Sequence, residues 1–282
     1  MYRILIKRND KVQPVLKWAG GKRQILNEIS KYIPKNFNTY YEPFLGGGSV
    51  LFNIQPINAV VNDMNSELIN MYQVVKDNVE ELIQYLKAYR NNEEYFYKIR
   101  NLDRDKNIFN KLNHIERASR LIYLNRTCFN GLYRTNKSGE FNAPFGKYDN
   151  PTILNKDLLR AISKYFNIAN IKFLNTDFIN SLSDINKNDF VYFDPPYDVI
   201  SDTSNFTSYT KDKFTKKDQV RLNSICNYFT NNKIRFLLSN AMTDFILELY
   251  KDYKIEIIQA KRSINSNPNK RNKISEVLIR NF

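Results

Sequence analysis

Phe190-Val191-Tyr192-Phe193-Asp194-Pro195-Pro196-Tyr197 is an apolar run that stops at an acid and two prolines. Four apolar residues without polar alternation predict a strand buried on both faces, as in the middle of a parallel sheet. Proline cannot donate to a strand ladder, so Asp194 closes the strand at the carboxyl edge of the sheet, where ligands of open α/β folds bind. With φ locked at both prolines and their carbonyls turned outward, Asp194 and the Pro195 carbonyl can accept both hydrogens of one amino group. Tyr197 adds a ring for stacking. An aromatic amine is a poor nucleophile because its lone pair is delocalised, and two acceptors drawing on its hydrogens favour a pyramidal nitrogen able to attack a methyl sulfonium. Asp194, Pro195, Pro196 and Tyr197 are therefore the candidate catalytic residues, with a plain Pro-Pro turn as the alternative.

The same kind of signal recurs on both sides. Strand-like runs occur at Tyr40-Phe44, Ala59-Asp63, Ile171-Leu174, Arg235-Ser239, Ile255-Ala260 and Ser275-Arg280. Helical stripes fall at Ile25, Ile29, Tyr32 and Ile33, ending at Pro34; at Leu68, Met71, Tyr72 and Val75; and at Val79, Leu82, Ile83 and Leu86. Another, Leu222, Ile225, Cys226 and Phe229, is introduced by Thr215 with Asp218 three residues on, a capping box. Strands alternating with helices predict an α/β fold with a largely parallel sheet and helices on both faces. Between about Asn91 and Asn150 the character changes. Charged helical stretches around Tyr95-Arg100 and Ile115-Asn125 lead to turns at Asn130-Gly131, Ser138-Gly139 and Phe145-Gly146. This is the expected inserted module, mostly helical with a β-hairpin, placed at residues 66–154 between core segments 1–65 and 155–282.

A chain of 282 residues with 42% hydrophobic content can bury one sizeable core. No stretch reaches the length of a membrane span, and Met1-Lys7 is too short and charged for a signal peptide, so the expectation is a cytoplasmic protein without membrane association. Two cysteines and one histidine exclude a disulfide framework and a Cys/His zinc site. The expected oligomeric state is a monomer or weak dimer, with no metal. The net charge of +14 favours a polyanionic partner; nucleic acid, ribosome and anionic membrane all fit that number.

Gly46-Gly47-Gly48-Ser49 follows a strand, where glycines let the backbone turn sharply and approach a ligand; a plain tight turn reads equally well. The dinucleotide fingerprint fails because Leu51 stands where its third glycine belongs. A P-loop fails as well, since Arg23 follows Lys22 and Leu16 takes the position of its first glycine. Asp63 ends the next strand, fifteen residues past Gly48. Its carboxylate can accept both hydroxyls of a ribose, or it can cap a helix.

Several motifs in order resemble the Dam-type DNA adenine-N6 methyltransferases of the D12 class, which use S-adenosylmethionine. They are Leu16-Lys17-Trp18-Ala19-Gly20-Gly21-Lys22, Tyr41-Glu42-Pro43-Phe44-Leu45-Gly46-Gly47-Gly48, Asn62-Asp63-Met64-Asn65, Phe129-Asn130-Gly131-Leu132-Tyr133-Arg134 and Asp194-Pro195-Pro196-Tyr197. Glu140-Gly146 and Ile274-Val277 extend the match over nearly the whole chain. The resemblance implies a Rossmann-like methyltransferase sheet carrying an inserted DNA-recognition domain. It implies that Trp18, Lys22, Asp63 and Asp194 contact S-adenosylmethionine together with Glu42, Phe44, Gly46 and Gly48, and that Asp177 helps hold the adenine of that cofactor. Core packing for Trp18 and a solvated helix start for Lys22 are what composition alone suggests.

In that family the inserted module reads GATC in duplex DNA. The resemblance implies that Arg134 contacts a guanine bidentately, that Leu132 and Pro144 touch neighbouring bases, and that Phe129 wedges beside an extruded adenine. Asn130, Arg126 and Lys17 are implied further contacts. Residues 126 to 137 hold Arg126, Arg134 and Lys137 without an acid, and a second basic stretch, Lys261, Arg262, Lys270, Arg271 and Lys273, is suited to gripping phosphates. Ser201-Lys213 is equally a flap over the flipped base and an ordinary surface loop. The alternatives are an RNA adenine or N4-cytosine methyltransferase and a catalytically silent DNA-binding relative. A restriction endonuclease is a possible partner.

Overall fold

The computed structural model describes residues 12–198, 214–261 and 273–282. Among them seven strands form one sheet: β1 (Tyr40–Glu42), β2 (Asn58–Asn62), β3 (Asn170–Leu174), β4 (Phe190–Phe193), β5 (Arg235–Ala241), β6 (Lys254–Lys261) and β7 (Lys273–Arg280). Their order is β3-β2-β1-β4-β5-β7-β6. Every pairing from β3 across to β5 is parallel, and β7 runs antiparallel between β5 and β6. From β1 the chain winds outward to β2 and β3, then returns to β4 on the other side. The topological switch point therefore falls between β1 and β4, where a ligand crevice opens at the carboxyl ends of the strands.

Alternate residues of the central strands feed two cores. Phe190 and Tyr192 of β4, Tyr40 of β1 and Leu237 of β5 belong to one; Val191, Phe193, Tyr41, Phe236 and Leu238 belong to the other. This is the two-residue period of a strand buried on both sides. The helices in chain order are α1 (Leu26–Lys31), α2 (Ser49–Ile54), α3 (Ser66–Asp77), α4 (Val79–Ala88), α5 (Glu93–Arg100), α6 (Lys106–Phe109), α7 (His114–Thr127), α8 (Lys156–Ile168), α9 (Lys216–Asn231) and α10 (Asp244–Leu249). Helices α2, α3, α7 and α8 cover the first face, and their core continues without a break into α4 and α5. Helices α9 and α10 cover the second.

Most expected elements are present within a residue or two, including the capping box, in which the Thr215 N–H donates to Asp218. Two differ. The stripe from Ile25 to Ile33 forms only the short α1, which ends at Lys31 before Pro34 and is preceded by a 3₁₀ turn at Lys22–Gln24. The expected hairpin has no continuous ladder: its arms pair at two separate bridges, Cys128↔Phe145 and Thr135↔Phe141, each flanked by two backbone hydrogen bonds. Asn130 and Gly131 take left-handed φ values of 60° and 63°, and Pro144 lacks a donor, so regular pairing cannot propagate along the arms. Among the described residues no helix is long and apolar enough to cross a membrane, and no group of three His, Cys, Asp or Glu side chains is placed to hold a metal. Met1-Lys7, the segment Ser201-Lys213, Arg262, Lys270 and Arg271, and the side chains of Lys261 and Lys273 lie outside the described residues.

Candidate active site

Asp194 leaves β4 beside the end of β5, and its Oδ1 is held from two sides. Lys22 Nζ lies 2.8 Å away, and the Ser239 hydroxyl donates to the same oxygen at 2.8 Å. The hydroxyls of Tyr192 and Ser239 are 3.0 Å apart, so a buried chain Tyr192 to Ser239 to Asp194 fixes the carboxylate. Among the described residues Oδ2 has no hydrogen bond. The Pro-Pro turn is equally tied: Gln219 of α9 donates to the Pro196 carbonyl at 3.0 Å, and Asn240 receives the Asp198 N–H while donating to Gln219. Among the described residues neither the Pro195 carbonyl nor Asp194 Oδ2 accepts a hydrogen bond.

Tyr197 donates its hydroxyl to Glu276 of β7 at 2.7 Å, and Lys22 Nζ sits 4.6 Å from the centre of its ring. The buried ammonium of Lys22 thus faces Asp194 and Glu276 and acts at longer range on Glu42. Burial raises the Asp194 carboxyl above its usual range, opposed first by Lys22 and then by Ser239. Burial raises Glu276 and, strongly, Glu42 as well; the Tyr40 hydroxyl, donating to Glu42 at 2.8 Å, opposes the latter.

The glycine turn after β1 carries positive φ at Gly46 (50°) and Gly48 (67°). Trp18 lies against it: a Cβ on Gly46 would stand 3.0 Å from the Trp18 ring, so the turn admits no side chain there. Asp63 at the end of β2 accepts the Gly46 N–H at 2.9 Å on one oxygen and the Asn65 N–H at 2.9 Å on the other. Its carboxyl is raised by burial against those two donors. The cap of α3 is Asn65, whose side chain accepts from Leu68, so the helix-cap alternative for Asp63 does not hold. Phe44 packs on Phe178 at 5.3 Å and edge-on to Phe214, and Asp177 beside them pairs with Arg221. Asp63, the glycine turn and this aromatic group lie along one carboxyl edge leading to Asp194.

Composition suggested core packing for Trp18 and solvation for Lys22. Trp18 is half-buried and stacks on Tyr133 of the hairpin, 5.0 Å between rings, while Lys22 is buried with its ammonium on Asp194. On the hairpin Phe129 is 56% exposed, and Asn130, Pro144 and Lys17 are exposed beside it. Leu132 and Arg134 are half-buried. Asn142 holds the Nε edge of Arg134, with its Oδ1 2.7 Å from Nε and its carbonyl 3.2 Å from Nη2, so the far Nη1/Nη2 edge can still meet a base. Arg126 instead donates to the Val15 carbonyl, which commits part of its guanidinium to the fold. Ser239, Gln219 and Asn240 escape a motif reading because each is a single polar residue; Glu276 stands in the matched stretch Ile274-Val277, but only its contact with Tyr197 brings it to this turn.

A family pattern described as D12 class N6 adenine-specific DNA methyltransferase matches residues 18–264. The chain belongs to this family. A type II methyltransferase of Lactococcus lactis subsp. cremoris is 43% identical over 99% of both chains. Another, of Methanocaldococcus jannaschii, is 40% identical over 96% of this chain and 99% of its own. The DNA adenine methylase of Salmonella typhi is 35% identical over 93% of both. The D12-class chain is accordingly an adenine-specific DNA methyltransferase, an enzyme that needs a methyl donor of the S-adenosylmethionine type and acts on DNA.

Proposed function

We propose that this enzyme transfers the methyl group of S-adenosylmethionine to N6 of an adenine flipped out of duplex DNA, within GATC. The observation that carries the reading is the pair of acceptors, Asp194 Oδ2 and the Pro195 carbonyl, that are unbonded among the described residues and stand at the switch point. Bound there, the cofactor supplies an electrophilic methyl on a cationic sulfur. Asp63 offers its remaining lone pairs to ribose hydroxyls, Phe44 and Asp177 border the cofactor's adenine, and Trp18, Glu42, Gly46 and Gly48 form the wall of the turn. Lys22 orients Asp194.

The chain's own part in the chemistry is orientation. Asp194 and Pro195 draw on the two amino hydrogens, so that the nitrogen lone pair turns toward the methyl group; the C–S bond breaks as the N–C bond forms, and the extra proton leaves to solvent. Tyr197 stacks on the target base. Extrusion costs a few kcal/mol, and exposed Phe129 is placed to fill the gap. Arg134, steadied by Asn142, reads a guanine, with Leu132 and Pro144 on neighbouring bases and Lys17, Arg126 and Asn130 as further contacts. Residues 66–154 serve recognition, and residues 1–65 and 155–282 catalysis. A restriction endonuclease of the same site is the proposed protein partner.

Expression in a methylation-deficient host tests this reading. The host DNA should resist a nuclease blocked by methylated GATC and remain intact to that nuclease only while Asp194 is present; the Asp194→Ala variant should leave it fully cut. Methylated adenine found at a different sequence would refute the GATC assignment, and an active Asp194→Ala variant would refute the mechanism.

A further inference from the structure

Glu276 lies on β7, in register opposite Ala241 of β5, far in sequence from the Asp-Pro-Pro-Tyr turn. Its carboxyl reaches Tyr197 across 79 positions of chain and accepts the hydroxyl at 2.7 Å. The ring is thereby fixed at its far end, while its backbone is held two bonds away by Asp198 and Asn240 and one face is near the Lys22 ammonium. A phenol O–H lies close to the plane of its ring, so an acceptor held at one place selects one ring orientation for stacking. A base laid on that plane presents its amine at one angle to Asp194 Oδ2 and the Pro195 carbonyl.

We propose that Glu276 is a positioning residue for methyl transfer: its hydrogen bond to the Tyr197 hydroxyl sets the plane on which the target adenine stacks. This rests on the stacking role of Tyr197 proposed above. Glu276 touches neither base nor cofactor in this assignment; its hydrogen bond is to Tyr197, and the Tyr197→Phe variant removes that bond without removing the Glu276 charge that Lys22 and Asp194 also feel. The antiparallel strand β7 thus becomes part of the active site, which the parallel half of the sheet does not complete by itself.

The prediction is a set of matched kinetic changes. Glu276→Ala and Tyr197→Phe should each lower kcat by about 10- to 100-fold, the range for losing a hydrogen bond to a charged acceptor. KM for S-adenosylmethionine and the Kd for DNA should stay near those of the parent. The Glu276→Ala/Tyr197→Phe double variant should be no slower than the slower single one, because both remove the same bond. Glu276→Gln, whose amide oxygen still accepts the hydroxyl, should recover most of the rate. A parental kcat for Glu276→Ala, multiplicative losses in the double variant, or a loss confined to cofactor KM would overturn the proposal. Tyr197→Phe leaves β7 untouched and carries the test if Glu276→Ala does not fold. Tyr197→Ala separates the two levels: full activity there removes the stacking role itself, whereas an inactive Tyr197→Ala beside a parental Glu276→Ala removes only the role of Glu276.

Discussion

Lys22 shows how one side chain sets the state of a site. Its ammonium is buried against Asp194 and lies over Tyr197, and it is the leading influence holding the Asp194 carboxyl down against burial. Asp194 is the stronger acceptor as the carboxylate, so activity falls as pH drops through its raised pKa. Removing the cation raises that pKa further. Lys22→Met is therefore expected to move the acid limb of the single-turnover rate to higher pH, as measured on preformed complexes so that cofactor affinity does not enter. An acid limb that stays in place, or shifts to lower pH, would mean that Lys22 does not control Asp194. The importance of Asp194 was legible from four consecutive residues. The double hold on its Oδ1 was not, because Ser239 and Lys22 are distant from Asp194 in sequence, and the motif that carries Lys22 implied a cofactor contact and not a partner for Asp194.

At the scale of elements, helices and strands follow local rules closely enough to be read in advance: the i, i+3, i+4 stripes of α3 and α4, the apolar run of β4, the capping box of α9. The recognition hairpin obeys different constraints. Its return arm is clamped by Asp103, which accepts the Phe141 N–H at 2.8 Å and pairs with buried Arg120 at 2.8 Å, while Arg104 donates to the Phe141 carbonyl at 2.6 Å. At the base, Asn125 receives the Lys17 N–H and donates to the carbonyls of Lys17 and Gly131, joining the first motif to the hairpin. These polar clamps join the two short backbone bridges in holding the hairpin. Asp103→Ala leaves the Arg120 charge without its buried partner and should cost about 3–5 kcal/mol in a denaturant melt. The same variant should blur discrimination between GATC and single-mismatch duplexes. A parental midpoint would show that the hairpin does not depend on this cluster.

For the whole molecule, the +14 charge governs the encounter with DNA and not the methyl-transfer step. DNA affinity should fall by roughly a thousandfold or more between about 50 and 200 mM salt if six or more phosphates are neutralised. The single-turnover rate of the saturated complex should change little over that range, since Asp194 and Lys22 are largely shielded from solvent. A shallow salt slope would place the basic residues away from the DNA. What the sequence by itself determined is the α/β class, the family, and the residue types at the two strand ends proposed to bear the chemistry. Those depend on local periodicity and on contiguous motifs. Only the tertiary structure decided that Ser239 bonds to Asp194 and Glu276 to Tyr197, that Asn65 and not Asp63 caps α3, and that side-chain clamps join two short backbone bridges in holding the hairpin. Each of these depends on pairing between residues far apart in the chain, and such pairing exists only after the sheet has closed around the switch point.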